Sequence, residues 1–149
     1  MISHIRTFWR DRLFWLAVMA GPLSWLVLFL LLHPAPQWDW PFRMPMEYLL
    51  PAVIYPVLEE TVFRGLLQEL AQEYISRRNI GPLSLANLLT SLVFTGFHFL
   101  NHAPLWAALV FFPSLVFGFF KDRYHTLTTP ILLHGFYNAG FLLLFTVPA

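Results

Sequence analysis

The sequence of 149 residues contains no cysteine, and only 11% of its residues are charged. The absence of cysteine excludes disulfide bonds, thiolate metal ligands and a cysteine nucleophile. Soluble domains contain about 25% charged residues, so this low fraction argues against a protein surrounded by water. Nine basic and eight acidic residues give a formal net charge of +1. A near-neutral chain lacks the basic surface that nucleic-acid binding requires, and we therefore expect no nucleic-acid partner.

What the sequence has in abundance is apolar and aromatic side chains. Hydrophobic residues make up 58% of the chain and aromatic residues 18%, with 16 Phe and six Trp. One small water-soluble core cannot bury so many large side chains, because a short chain leaves much of its surface exposed. The composition therefore predicts an integral membrane protein that has the lipid bilayer as its main partner.

The charged residues fall in short clusters, and the apolar segments between them predict the membrane spans. The uncharged run 79–120 is too long for one helix, and residues 101–104 (NHAP) divide it into two. Residues 13–38 carry no Asp, Glu, Lys or Arg, and at about 1.5 Å per residue this segment is long enough to cross ~30 Å of hydrocarbon. The fold class predicted is an all-α, polytopic membrane helix bundle that forms a single domain over residues 1–149. Its roughly five transmembrane helices would cover residues 13–32, 47–77, 83–100, 105–120 and 127–147.

The basic residues predict the orientation of this bundle. If the N-terminus is cytoplasmic, the outside loops contain only Arg43, whereas most of the basic residues fall in inside loops, as the positive-inside rule expects. The basic residues assigned to the inside are Arg6, Arg10, Arg12, Arg77, Arg78, Lys121 and Arg123.

Several ionisable or strongly polar side chains lie inside the predicted helices, where each charge costs roughly 2.5–3.5 kcal/mol to insert. Glu60 and Arg64 are four residues apart and should pair on one helix face, while Glu59 points about 100° away from Glu60. His134 and Asn138 also share a face. The full set is Glu59, Glu60, Arg64, His98, His134 and Asn138.

This set contains the groups that hydrolysis requires. A carboxylate such as Glu59, beside a neutral histidine, can position a water molecule and accept its proton. An imidazole N–H and the Asn138 amide can stabilise an oxyanion. The simpler interpretation is structural: each histidine forms a hydrogen bond between helices, and Glu60 pairs with Arg64.

Straight helices would place His98 near the outer surface, Glu59 deeper and His134 nearer the middle, so that the three could not meet. Either Pro51 and Pro56 tilt the start of the second helix, or the predicted helix ends are off by a turn or more.

Three short motifs resemble those of one known family. Residues 59–64 (EETVFR) resemble its E-E-x-x-x-R motif, residues 94–98 (FTGFH) its F-x-x-x-H motif, and residues 134–138 (HGFYN) its H-x-x-x-N motif. They occur in order on separate predicted helices. The sequence is therefore similar to the family of CAAX proteases and bacteriocin-processing enzymes, which are intramembrane glutamic endopeptidases, and particularly to compact bacterial members that act in C-terminal protein sorting.

The resemblance implies a role for each motif residue. Glu59 would be the general base, His98 would hold the water, and His134 with Asn138 would form the oxyanion site. Glu60 and Arg64 would support these groups or anchor the substrate. No metal or other cofactor is expected for this glutamic mechanism. Zinc is the alternative, and a metalloprotease would use Glu59, His98 and His134 as ligands.

The resemblance also implies a substrate and a location. The substrate would be a membrane-anchored protein with a C-terminal sorting or CAAX-like segment, cleaved near its anchor in a bacterial inner membrane. Because the chain is short for the family, prenylated substrates are less expected than sorting signals. Two other functions are open: a non-catalytic immunity or scaffold protein of the same fold, and a small proton-coupled transporter or channel subunit that uses the ionisable residues as a relay.

Overall fold

The structure, a computed structural model, describes residues 8–75 and 78–146 and contains five main helices. They are α1 (Arg12–Leu32), α2 (residues 45–74), α3 (Leu85–His98), α4 (Pro104–Tyr124) and α5 (Thr128–Phe145). A short turn of helix at Trp40–Arg43 lies between α1 and α2. The all-α prediction is confirmed. Arg6 and Arg77, two residues of the orientation prediction, lie outside the described residues.

The strands found in the described part of the chain form one small antiparallel hairpin, which the sequence analysis did not predict. Strand β1 (Asn79–Ile80) pairs with β2 (Leu83–Ser84), and Gly81 adopts a φ of 62° in the turn. Glycine tolerates this left-handed conformation without steric cost. Ser84 then caps α3, since its hydroxyl accepts a hydrogen bond from the Asn87 N–H at 2.9 Å. The hairpin therefore reverses the chain between α2 and α3.

Three helices of the described residues are long and apolar enough to cross a membrane, namely α1, α4 and α5. α3 has 14 residues and rises only about 21 Å at 1.5 Å per residue. Large apolar side chains lie exposed along α1, as expected for a helix that faces lipid; they include Leu16, Met19, Leu23, Leu26, Leu30 and Leu31. The fold is that of an all-α membrane helix bundle.

The predicted end of α4 is wrong by about one turn. The sequence predicts that this helix ends near residue 120 and that the charged residues that follow lie in a loop. In the structure α4 continues to Tyr124, and Lys121 and Asp122 lie in its last turns. Lys121 is only 8% exposed and pairs with Glu69. Charged residues can extend a helix in this way when partners from other helices compensate their desolvation.

Helix α2 is not a regular α-helix. Two of its segments, Leu50–Ile54 and Thr61–Leu67, have the wider π-helical conformation. In these segments each hydrogen bond reaches one residue further: the Tyr55 N–H donates to the Leu50 carbonyl, and the Gln68 N–H donates to the Phe63 carbonyl. Short π-helical segments occur frequently at functional sites. The pair Glu59-Glu60 lies in the α-helical segment Tyr55–Glu60 between them.

The chain divides into two compact units. The first contains Glu59–Ile131 and so includes the second half of α2 with α3 and α4. The second contains the described residues before Glu59 together with those after Ile131. The prediction of a single domain remains a prediction.

In the second unit, α5 packs on α1. The Tyr137 hydroxyl donates a 2.5 Å hydrogen bond to the Ala17 carbonyl, and the Trp25 ring lies against Gly140. At both contacts an aromatic side chain from one helix meets the backbone of the other. Small residues allow helices in membranes to approach this closely.

Candidate active site

The predicted ion pair between Glu60 and Arg64 is present in the first unit. Arg64 Nε lies 3.3 Å from Glu60 Oε2, and both side chains are fully buried. Arg64 Nη2 also donates to the carbonyl and the hydroxyl of Ser114, at 3.0 and 2.7 Å. The guanidinium carbon lies 5.3 Å from the centre of the Phe94 ring. Arg64 therefore joins α2 to both α3 and α4. Removing one partner from a buried pair costs about 3–5 kcal/mol.

The contact of Arg64 with Ser114 is the first in a row of polar contacts between α2 and α4, which we call the polar ladder. One turn further along both helices, Gln68 Nε2 donates to the Gly118 carbonyl at 3.1 Å. Another turn on, Gln72 Nε2 donates to Asp122 Oδ1. These contacts repeat every four residues on both helices, so α2 and α4 run parallel here.

Asp122 ends this ladder and accepts hydrogen bonds from three side chains. Gln68 and Ser84 donate to its two carboxylate oxygens, each at 2.6 Å, and Gln72 donates to the first of them. Asp122 thus connects α2 and α4 with the hairpin before α3. This network was not among the predicted contacts. The sequence contains a pattern that indicates it, because Arg64, Gln68 and Gln72 lie at intervals of four residues and so form one polar face of the helix.

Aromatic contacts fix the position of α3 along the axis of α2. The rings of Phe63 and Phe94 are 4.9 Å apart between centroids, nearly perpendicular. The two helices run antiparallel, since Ser84 at the start of α3 lies beside Asp122 together with Gln72 at the end of α2.

This packing places Glu59 and His98 at the same level of the antiparallel pair. Glu59 lies one turn before Phe63, and His98 lies one turn after Phe94, so both lie one turn beyond the ring contact in the same direction. The depth of these two residues in the membrane remains a prediction.

The His98 ring has a defined tautomer. Its Nδ1 lies 2.9 Å from the carbonyl oxygen of Phe94. Because a carbonyl oxygen only accepts hydrogen bonds, Nδ1 must carry the hydrogen, and neutral His98 then has its lone pair at Nε2. An Nε2 lone pair can accept a hydrogen bond from a water molecule or bind a metal ion. His98 is half-buried, as is Glu59.

In the second unit, Asn138 is held by a backbone carbonyl of α2. Asn138 Nδ2 donates to the Pro51 oxygen at 2.9 Å. That oxygen is available because the N–H of Tyr55 bonds to Leu50 instead, and Pro56 has no N–H to offer. A carboxamide nitrogen carries two hydrogens, so Asn138 keeps a second donor for a ligand.

Gly135, beside His134, allows α5 to approach the same stretch of α2. A Cβ added at Gly135 would lie 2.9 Å from the Ala52 carbonyl oxygen, closer than such atoms pack. In a regular helix that carbonyl would accept the N–H of residue 56, which is a proline. His134 itself is buried, at 5% exposure.

The structure thus sorts the predicted residues into two sets. Glu59, Glu60, Arg64 and His98 belong to the first unit, and His134 and Asn138 to the second. Among residues 8–75 and 78–146, no group of three or more His, Asp or Glu side chains is arranged to hold a metal ion. Both the expected independence from metal and the alternative zinc set remain predictions.

Comparison with known proteins identifies the family. The model of the type II CAAX prenyl endopeptidase Rce1-like family matches residues 41–140, more than half of the chain, and this range contains all three motifs. The chain therefore belongs to this family, as its motifs predicted. It is an integral membrane protein of the CAAX-protease type and hence a hydrolase. No curated protein and no solved structure matches it.

Proposed function

We propose that the protein is an intramembrane endopeptidase that cleaves a substrate protein near its C-terminal membrane anchor. The family match supports peptide hydrolysis. The observation that carries the mechanism is the placement of Glu59 and His98 at one level of α2 and α3, one turn beyond the Phe63–Phe94 contact. A carboxylate and an imidazole lone pair on neighbouring helices can hold one water molecule between them.

In the proposed reaction, His98 Nε2 accepts a hydrogen bond from the water and Glu59 takes its second proton. The water oxygen attacks the carbonyl carbon of the peptide bond, and the negative charge develops on the carbonyl oxygen. His134 and the remaining N–H of Asn138 would stabilise this oxyanion. The C–N bond then breaks, and Glu59 returns its proton to the departing amine.

Glu60 and Arg64 would support this site without contacting the substrate. Both side chains are fully buried, and Arg64 binds Ser114 on α4. A buried pair that joins three helices can hold the α2 backbone at Glu59 in place. This burial favours support over the alternative role of substrate anchor.

The substrate would be a membrane-anchored protein with a C-terminal sorting or CAAX-like segment. Two sets of peptides separate these classes: one with a plain apolar C-terminal anchor, the other with a prenylated C-terminal cysteine. Cleavage of the first set alone would identify a sorting-type protease. Cleavage of the prenylated set alone would contradict that choice.

The proposed base is tested by Glu59→Gln, which keeps the shape of the side chain but cannot accept the proton. We expect kcat to fall by at least about 100-fold, because general-base catalysis contributes roughly 10²–10⁴-fold. The matched control is Glu73→Gln, on the exposed end of the same helix, and it should cleave at the wild-type rate. The assay uses protein purified in detergent.

A folded Glu59→Gln variant with wild-type cleavage would refute the mechanism. A chelator should leave the wild-type rate unchanged. Loss of activity with the chelator and its recovery with zinc would favour the metalloprotease alternative. If the wild type cleaves neither peptide set, the protein is better described as a non-catalytic member of the family.

A further inference from the structure

Groups of Phe94 and His102 restrain the imidazole of His98. The carbonyl of Phe94 accepts a hydrogen bond from Nδ1, and the Phe94 ring lies 4.5 Å from the imidazole between centroids. The ring of His102 lies 5.5 Å away and is nearly parallel, at 18°. Phe94 and His98 belong to α3, whereas His102 lies beyond its end.

A tight turn brings His102 back to the helix. The backbone N–H groups of Asn101 and His102 both donate to the His98 carbonyl, at 3.2 and 3.0 Å. His102 is exposed, so its ring is not there to fill the core of the first unit. The contact it makes within the described residues is with the ring of a candidate active-site residue.

The place of His98 in the helix explains why such a contact is useful. His98 is the last residue of α3, and residues at helix ends are held less firmly than residues in the middle of a helix. A side chain at this position would otherwise change rotamer readily. A planar ring stacked on the imidazole limits that rotation.

We propose that His102 is a positioning residue, whose ring keeps the His98 imidazole in the orientation that the Phe94 hydrogen bond selects. Its effect on turnover rests on the proposed peptidase function. The effect of His102 on the orientation of the His98 ring does not depend on that function, so the two effects can be measured separately.

The turnover test compares His102→Ala with His102→Phe. Stacked aromatic pairs contribute enough to change a rate by about twofold to tenfold, so we expect His102→Ala to lower kcat by this factor and leave KM unchanged. His102→Phe keeps a planar ring and should restore kcat to within about twofold of wild type. The control is His125→Asn, at an exposed left-handed position (φ 55°) that asparagine tolerates.

The structural test needs no substrate. Nitrogen NMR of ¹⁵N-histidine-labelled Glu59→Gln protein in detergent reports the tautomer of His98. We expect His98 to be in the Nδ1–H tautomer alone in the protein with His102 and in the His102→Phe variant. In the His102→Ala variant we expect a mixture of the two tautomers of His98. His102→Leu serves in place of Ala if that variant fails to fold.

The proposal would be overturned by a single tautomer of His98 in His102→Ala or His102→Leu, or by a mixture of tautomers in His102→Phe. A protein without peptidase activity that still shows the tautomer change would refute the proposed function and leave the positioning role intact.

Discussion

At the scale of single residues, Gly118 shows how closely the helices of the first unit approach. A Cβ added there would lie 2.8 Å from Gln68 Oε1 and would collide with the side chain of Asn87. Asn87 itself donates to the Leu115 carbonyl on α4 at 2.9 Å. The absence of a side chain at 118 therefore allows two amides, from α2 and α3, to reach the backbone of α4.

We expect Gly118→Ala to destabilise the protein by about 1–3 kcal/mol, the usual cost of overpacking, and to lower activity by disturbing the polar ladder. Thermal unfolding in detergent measures the change. Gly96→Ala is the matched control, since a Cβ there meets nothing within 4 Å and alanine favours a helix by about 0.5–1 kcal/mol over glycine. If both variants unfold at the same temperature, the proposed close approach at Gly118 is wrong.

At the scale of elements, the irregular conformation of α2 supplies the backbone groups to which α5 binds. The π-helical segment at Leu50–Ile54 and the proline at 56 leave the Pro51 oxygen available for Asn138. A regular α-helix would use that oxygen internally, because the N–H of residue 55 would donate to it. The irregularity thus decides where the amide of Asn138 is held.

Pro56→Ala tests this relation. Alanine supplies the missing N–H and favours a helix by about 3 kcal/mol over proline, so the unfolding temperature should not fall. A regular α2 would compete with Asn138 for the Pro51 oxygen, and we expect activity to drop about tenfold, the effect of losing one hydrogen bond of about 1.4 kcal/mol.

Both quantities are measured on one detergent preparation. Pro22→Ala in α1 is the control and should retain activity within about twofold. Full activity in Pro56→Ala would show that the Pro51 contact does not matter for catalysis.

At the scale of the whole molecule, the absence of cysteine makes the predicted orientation directly testable. Single cysteines can be placed at Ala35, in the segment between α1 and α2, and at Asn79, in the hairpin between α2 and α3; both positions are exposed. With a cytoplasmic N-terminus, a membrane-impermeant maleimide should label Ala35→Cys in right-side-out vesicles and Asn79→Cys in inside-out vesicles. The opposite pattern would mean the reverse orientation, and labelling of both from one side would mean that α2 does not cross.

The sequence was a good guide where a property depends on near neighbours in the chain. The helices followed from the charged clusters and from the turn at residues 101–104, and the pairing of Glu60 with Arg64 followed from their separation of four residues. It failed at the end of α4, because the partners of Lys121 and Asp122 lie on α2 and in the hairpin, far away in the chain.

The amino-acid sequence by itself determined that this is a membrane protein of α-helices with the three motifs of the CAAX proteases, because apolar length and residue spacing are local properties. Only the tertiary structure decided that Glu59 and His98 share one level, because this depends on the packing of Phe63 against Phe94. It also decided that the Pro51 carbonyl holds Asn138, because a helix releases a carbonyl only where its own geometry leaves the oxygen without a donor.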